Sequence, residues 1–186
     1  MRQRLLAVPA AALLAGVGGG FGLHLALRPA GGAALPLPEL HGQAVWSPHA
    51  RPAPAFALRD RSGALVTLGS QRGRTVLLAF LREGCRRCAE TALGIARATA
   101  SLPASRRPEV IVVGPRASAS WQLPPGTLTL RGGASVLARL RSAYAARAWG
   151  GAVYLIDRQG DERAAYAVPF LPGFVAHDLA ALAEEK

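Results

Sequence analysis

The sequence predicts an α/β domain built on a mixed β-sheet and preceded by an apolar N-terminal segment. Two continuous apolar runs, residues 75–81 and 110–113, are typical of strands buried on both faces of a sheet. A helical stretch follows the first run, and after the second Leu137, Leu140 and Tyr144 recur at three- and four-residue spacing. Alternation of strand and helix, closed by a hairpin and a last helix, indicates an α/β sandwich with a mixed sheet.

Two hairpins are among the predicted elements. A hairpin of two short strands comes first, turning at residues 60–63, and a second hairpin turns at residues 157–160. The predicted strands are 56–58, 65–68, 75–81, 110–113, 127–130, 153–156 and 163–168, and the predicted helices are 85–100, 135–147 and 172–185. The sequence contains no visible internal repeat.

Composition and charge indicate one folded domain and limit the kinds of partner that the chain can bind. Of 186 residues, 51% are hydrophobic, which is enough for the core of one domain with an N-terminal appendage. The formal net charge is +11, but the arginines are scattered as singles and pairs, with few aromatic residues between them for base stacking. This pattern argues against nucleic-acid binding and leaves a mild attraction to anionic lipids or acidic partners.

Residues 1–28 are predicted to form an uncleaved signal anchor, a single transmembrane helix. Residues 5–27 contain no Asp, Glu, Lys or Arg, and a helix of that length spans about 34 Å, enough to cross a bilayer. Arg2 and Arg4 precede the span and only Arg28 directly follows it, so the positive-inside rule places the C-terminal side outside. A cleaved signal peptide is the alternative.

The rest of the chain is predicted to lie on the periplasmic side of a bacterial cytoplasmic membrane. Residues 29–53 are rich in Pro, Gly and Ala and are predicted to be a semi-extended linker, and residues 54–186 the folded domain. Such extracytoplasmic compartments are oxidising, which allows disulfide chemistry.

Cys85 and Cys88, the two cysteines of the chain, are the predicted catalytic residues. They stand three positions apart at the junction of a buried strand and a helix. The N–H groups and macrodipole of a helix N-terminus favour a thiolate, and the cationic neighbours Arg86 and Arg87 favour it further. The spacing allows the second sulfur to resolve a mixed disulfide formed by the first.

Other uses of the two cysteines are weaker. A structural disulfide would close a very short loop and constrain the unfolded chain little. A zinc site needs about four ligands, and the histidines His24, His41, His49 and His177 show no ligand spacing. Cu(I) stays open because two thiolates suit a soft ion. Peroxide reduction by an activated Cys85 is a further alternative.

Two segments carry a resemblance to a known family. Residues 55–90 read AFALRDRSGALVTLGSQRGRTVLLAFLREGCRRCAE, and residues 153–160 read VYLIDRQG. They resemble the redoxin branch of the thioredoxin superfamily, from Pro52 onward. Within this branch, the chain resembles two subfamilies. One is the membrane-anchored thiol–disulfide reductases of the TlpA type, linked to cytochrome c maturation. The other is the Sco copper chaperones, which metallate cytochrome oxidase. The resemblance implies a thioredoxin-like fold, no organic cofactor, and partner proteins with thiols or disulfides.

The chain departs from both subfamilies at specific positions. The resemblance to Sco proteins implies three residues between the cysteines and a copper-binding His where Trp149 stands, whereas this chain has a two-residue spacer. The resemblance to thioredoxin-like reductases implies a cis-proline where Gly151 stands and a buried acid where Ala79 stands. It also implies a glutamate one position after Glu90. A peroxiredoxin would carry Thr where Arg82 stands.

The sequence therefore predicts a thiol–disulfide oxidoreductase that exchanges disulfides with partner proteins. The alternative is a Sco-like Cu(I)-binding chaperone for respiratory oxidase assembly, with Cys85 and Cys88 as the copper ligands and the third-ligand histidine absent. Glu83 and Glu90 flank the dithiol and are predicted to be solvated. Trp121 and Trp149 are predicted to pack rather than line a groove.

Overall fold

The structure of the protein, a computed structural model, describes residues 39–81, 85–114, 121–145 and 152–185. Within these ranges the chain forms eight strands and three α-helices, with short 3-10 turns at residues 69–71 and 104–106. The strands are β1 (Ala44–Val45), β2 (Ala57–Arg59), β3 (Leu65–Thr67), β4 (Val76–Phe80), β5 (Glu109–Val113), β6 (Leu128–Leu130), β7 (Ala152–Ile156) and β8 (Glu162–Ala167), and the helices are α1 (Arg86–Ala100), α2 (Ala134–Ala143) and α3 (Pro172–Glu184).

Six strands form one mixed sheet in the order β1-β8-β7-β4-β5-β6, and β2 and β3 pair separately as an antiparallel hairpin. Strands β4, β5 and β6 are parallel, with Val76 opposite Glu109 at the start of the β4–β5 pair. Strand β7 runs antiparallel to β4, β8 antiparallel to β7, and β1 antiparallel to β8. The mixed sheet predicted from the sequence is confirmed.

Two apolar layers cover the faces of this sheet. Helices α1 and α3 pack together over one face, where Leu77 and Ala79 of β4 point. Helix α2 and the β2–β3 hairpin cover the other face, with Leu78 and Phe80 beneath them. All five residues of β4 are buried because side chains alternate between the two covered faces. This is the reason that the strand reads as a continuous apolar run.

Each strand and helix predicted from the sequence is present, with ends that differ by at most four residues. The largest difference is in α2, predicted to reach residue 147. The helix ends at Ala143, and Ala145 has a positive φ of 52°, which cannot continue a right-handed helix. Residues 146 and 147 lie outside the described ranges.

Residues 39–53, the described part of the predicted linker, pack on the domain. Leu40 is buried in the core beneath α3. Ala44 pairs with Ala165, and the Trp46 amide donates to the Arg163 carbonyl at 3.0 Å. The physical reason is that β1 covers the edge of β8, whose backbone groups would otherwise lack partners.

The predicted signal anchor at residues 1–28 and most of the predicted linker lie outside the described ranges. In the part of the chain that the structure describes, no helix is both long and apolar enough to cross a membrane.

Candidate active site

The end of β4 and the start of α1 bring the dithiol to one edge of the sheet. Leu81 follows β4, and its amide donates to the Val113 carbonyl at 3.1 Å, which extends the pairing with β5. Cys85 is the N-cap of α1, in extended conformation with φ −90° and ψ 110°. Carboxyl ends of parallel strands are the edge at which α/β folds commonly place their ligand-binding residues. The predicted strand–helix junction is confirmed.

Cys85 and Cys88 form a disulfide within the first turn of α1. Their Cα atoms are 5.2 Å apart, and the Cys88 amide donates to the Cys85 carbonyl at 3.0 Å. Cys85 is half-buried, whereas Cys88 is only 6% exposed and belongs to the core beneath α1. An incoming molecule therefore has better access to the sulfur of Cys85 than to that of Cys88.

The described residues of the first turn of α1 carry positive and no negative charge. The first turn of α1 contains no acidic residue, and the side chain of Cys85 accepts no capping hydrogen bond from the helix. Arg87 lies in this turn and is exposed. The partial positive charge at the helix N-terminus is therefore available to stabilise a thiolate when the disulfide opens.

Cys88 belongs to an apolar core that also contains aromatic side chains. Trp121 is buried in the same core as Cys88, and the half-buried Leu123 and Phe170 pack against that core. The ring of Phe170 lies so close to Gly94 of α1 that a Cβ built there would be 3.1 Å from it. The packing predicted for Trp121 is confirmed, and Glu90 is exposed as predicted.

The structure describes some of the positions that the resemblance singled out, and others lie outside the described residues. Ala79 is fully buried in β4, so this position supplies no acid. The buried acids of the described ranges, Asp157, Asp161, Glu162 and Asp178, all lie outside β4, β5 and α1. A cis peptide bond joins Val168 to Pro169, directly after β8. Arg82, Glu83, Trp149 and Gly151 lie outside the described residues.

Sequence reasoning missed two buried ionisable groups on β8. Glu162 is fully buried, with Nε of Arg51 2.7 Å from its Oε2, and burial raises the pKa of Glu162 to about 7. Arg163, only 2% exposed, pairs with Asp157 and Glu185. The sequence signal for these groups is the Glu–Arg pair that begins β8, because the rest of the strand, ERAAYA, is apolar.

Comparison with known proteins identifies the fold. No protein-family model and no curated protein matches the sequence. Among solved structures, copper-bound ScoI from Bradyrhizobium japonicum matches with a TM-score of 0.54 and 19% identity, over 70% of this chain and 98% of that one.

Two further solved structures are similar to the same degree. A putative thiol:disulfide interchange protein DsbE from Chlorobium tepidum has a TM-score of 0.56 and 21% identity, covering 77% of this chain and 99% of that one. The thioredoxin domain of a thiol–disulfide oxidoreductase from Bacteroides vulgatus has a TM-score of 0.54 and 15% identity, covering 76% and 97%. The chain has a thioredoxin-like fold, as the resemblance predicted.

Proposed function

We propose that this thioredoxin-like chain exchanges disulfides with partner proteins, with Cys85 as the attacking and attacked sulfur and Cys88 as the resolving one. One observation carries the proposal: the two cysteines close as a disulfide at the N-terminus of α1, with Cys85 half-buried and Cys88 buried. A purely structural bridge would not need its more accessible sulfur at a helix N-terminus, where a thiolate is stabilised.

The proposed reaction moves two electrons and two protons between dithiol and disulfide. In the reducing direction, the Cys85 thiolate attacks one sulfur of a partner disulfide, and the other partner sulfur leaves as a thiolate and takes up a proton. The Cys88 thiolate, having lost its proton to solvent, then attacks Sγ of Cys85. The mixed disulfide breaks, the partner leaves as a dithiol, and Cys85–Cys88 is oxidised. The oxidising direction reverses these steps.

We further propose that the exchange takes place outside the cytoplasm, on a domain tethered by residues 1–28. The uncharged span at residues 5–27 and the arginines before it support this location. The oxidising environment there is consistent with a disulfide as the resting state.

Trapping with glutathione disulfide tests the assignment of roles. In Cys88→Ser, the remaining Cys85 should form a stable mixed disulfide with glutathione, because no resolving sulfur is present. In Cys85→Ser, the buried Cys88 should react at least tenfold more slowly. Mass spectrometry follows both adducts, with the Cys85→Ser/Cys88→Ser double variant as the blank. Equal rates in the two single variants would contradict the proposal.

Cu(I) binding by the same sulfurs is the second candidate function, supported by two adjacent cysteines at one helix turn. A third ligand would have to come from outside these two residues. Titration of the reduced chain with Cu(I) should then give one ion per chain, lost in the double serine variant. Failure to retain Cu(I) against a competing chelator would remove this candidate and leave disulfide exchange in place.

A further inference from the structure

The carboxylate of Asp178 in α3 is fully buried and accepts hydrogen bonds at both oxygens. Its Oδ2 accepts from the backbone amide of His41 at 2.7 Å and from the hydroxyl of Tyr166. Its Oδ1 lies 2.9 Å from Nδ1 of His41 and 3.2 Å from Nδ1 of His177. One oxygen is thus fixed by the fold, while the other faces two imidazole rings.

The two imidazoles are held in place on the protein side and open to solvent on the other. The His41 ring stacks on Phe174 with centroids 4.9 Å apart and meets the His177 ring edge-on at 4.5 Å. The His41 side chain is 32% exposed and that of His177 56%. The imidazole side of this cluster is therefore open to solvent, whereas its carboxylate side is buried.

We propose that His41, His177 and Asp178 form a binding site for one divalent transition-metal ion of the zinc class, separate from the dithiol. One donor atom from each residue lies within 4.8 Å of the other two. Tetrahedral zinc with nitrogen and oxygen ligands at about 2.0–2.2 Å holds its donor atoms about 3.3–3.6 Å apart. The distances from Oδ1 to the two Nδ1 atoms, 2.9 and 3.2 Å, would lengthen by a few tenths of an ångström, and the two imidazole nitrogens, which lie within 4.8 Å of each other, would move to about 3.3–3.6 Å apart.

The donor set selects the type of ion. Two imidazole nitrogens and one carboxylate oxygen suit Zn²⁺ and neighbouring transition metals, whereas Mg²⁺ and Ca²⁺ prefer sites made of oxygen atoms. A bound ion would replace the contacts between the Nδ1 atoms and Oδ1, with the proton of each neutral imidazole on Nε2. Solvent would fill the fourth position on the exposed side. The four donors to the buried carboxylate of Asp178 carry no permanent positive charge, so a dication would offset the cost of burying that charge.

The fold also supplies the outer support that metal sites require. Tyr166 of β8 is fully buried, and its hydroxyl donates to Oδ2, which orients Oδ1 toward the rings. His41 lies 137 positions before Asp178 in the chain, so a bound ion would tie the segment before β1 to α3. No residue of α1 belongs to the site, and its occupancy does not depend on the proposed function of Cys85 and Cys88.

Zinc binding by the tag-free, full-length chain in a mild detergent tests the site. The protein is kept oxidised, so that the Cys85–Cys88 disulfide cannot supply thiolate ligands, and Zn²⁺ is titrated calorimetrically after removal of bound metal. We expect one Zn²⁺ per chain, with affinity at least tenfold weaker in His177→Ala and in His41→Ala. His177 is the cleaner variant, because its side chain is largely exposed.

His49→Ala is the matched control. Nδ1 of His49 lies 2.9 Å from Asp161, so this residue forms a comparable His–Asp pair, but a single imidazole takes part in it. Its replacement should leave the zinc affinity unchanged. Zn²⁺ should also raise the thermal unfolding temperature of the wild type and of His49→Ala, but not that of His177→Ala. Equal affinity in wild type and His177→Ala, or equal losses in His177→Ala and His49→Ala, would overturn the proposal.

Discussion

At the scale of single residues, β8 opens with two buried ionisable side chains whose partners differ. Arg163 has several partners: Glu185 accepts from both of its terminal nitrogens, and the Trp46 carbonyl accepts from Nε at 3.2 Å. Glu162 has one cation, Arg51, and its Oε1 has no hydrogen-bond partner among the described residues. A buried carboxylate with incomplete partners resists ionisation, so Glu162 makes the domain sensitive to pH.

Replacement of Glu162 by Gln should change how stability depends on pH. Burial raises the pKa of Glu162 in the folded state to about 7, from 4.5. The protonated form is therefore favoured by folding, and its stabilising contribution is complete below pH 4.5 and lost as the pH rises to about 7. Over that window the wild type should lose about 3 kcal/mol of unfolding free energy relative to Glu162→Gln.

Urea denaturation at several pH values between 4 and 8 measures this difference. Groups other than Glu162 titrate in both proteins and cancel in the comparison. Glu184→Gln is the matched control, because that glutamate forms an exposed pair with Arg106 and exposed pairs contribute little. Parallel pH profiles for wild type and Glu162→Gln would show that Glu162 is ionised in the fold throughout.

At the scale of elements, the order of strands and helices could be predicted from the sequence because most elements bury a regular pattern. β4 and β5 read as continuous apolar runs since both of their faces are covered. β1 could not be predicted: it has two residues, neither of them buried, and it is a strand only because the edge of β8 needs a partner.

The candidate sites also differ in whether the sequence alone could predict them. Cys85 and Cys88 are predictable because their spacing and their place before a helix are local features of the sequence. The cluster around Asp178 is not, because His41 reaches it from 137 positions away through tertiary packing alone. For Glu162, the Glu–Arg pair at the start of β8 is a sequence signal, but the raised pKa depends on burial that a strand pattern does not reveal.

The N-terminus of α1 should set the redox potential of the dithiol. Cations near Cys85 stabilise its thiolate and therefore the reduced state, which makes the disulfide a better oxidant. Arg86→Gln/Arg87→Gln removes the two cations that follow Cys85 in the sequence and should lower the potential by about 30 mV, equivalent to about 1.4 kcal/mol. A glutathione redox titration of the full chain measures this shift.

Arg97→Gln is the control for this comparison, since Arg97 lies in the last turn of the same helix, far along the sequence from the cysteines. Its potential should equal that of the wild type, because helix-end effects fall off within a turn. An unchanged potential in the double variant would mean that the two arginines are only a solvated surface of α1.

At the scale of the whole molecule, the domain places its two candidate sites on different elements. The dithiol depends on β4 and α1, and the histidine cluster depends on α3 and the segment before β1. Both draw on the core between the sheet and its α1–α3 layer, which contains Cys88, Leu40 and Val175 together. The two sites therefore share one apolar core, while their reactive atoms come from different elements.

The uncharged span near the N-terminus predicts on which side of the membrane the C-terminus lies. Arg2 and Arg4 before the uncharged span should hold the N-terminus inside, so that the C-terminus reaches the extracytoplasmic side. Alkaline phosphatase, which needs its own disulfides, should therefore be active when fused after Lys186 and inactive when residues 1–28 are deleted. Arg2→Glu/Arg4→Glu should reduce the active fraction, because it removes the charge bias that orients the span.

Retention of the fusion in alkali-washed membranes separates an uncleaved anchor from a cleaved signal peptide. Full activity of the deleted fusion would show that residues 1–28 do not direct export, and the oxidising surroundings assumed for the dithiol would then need another basis.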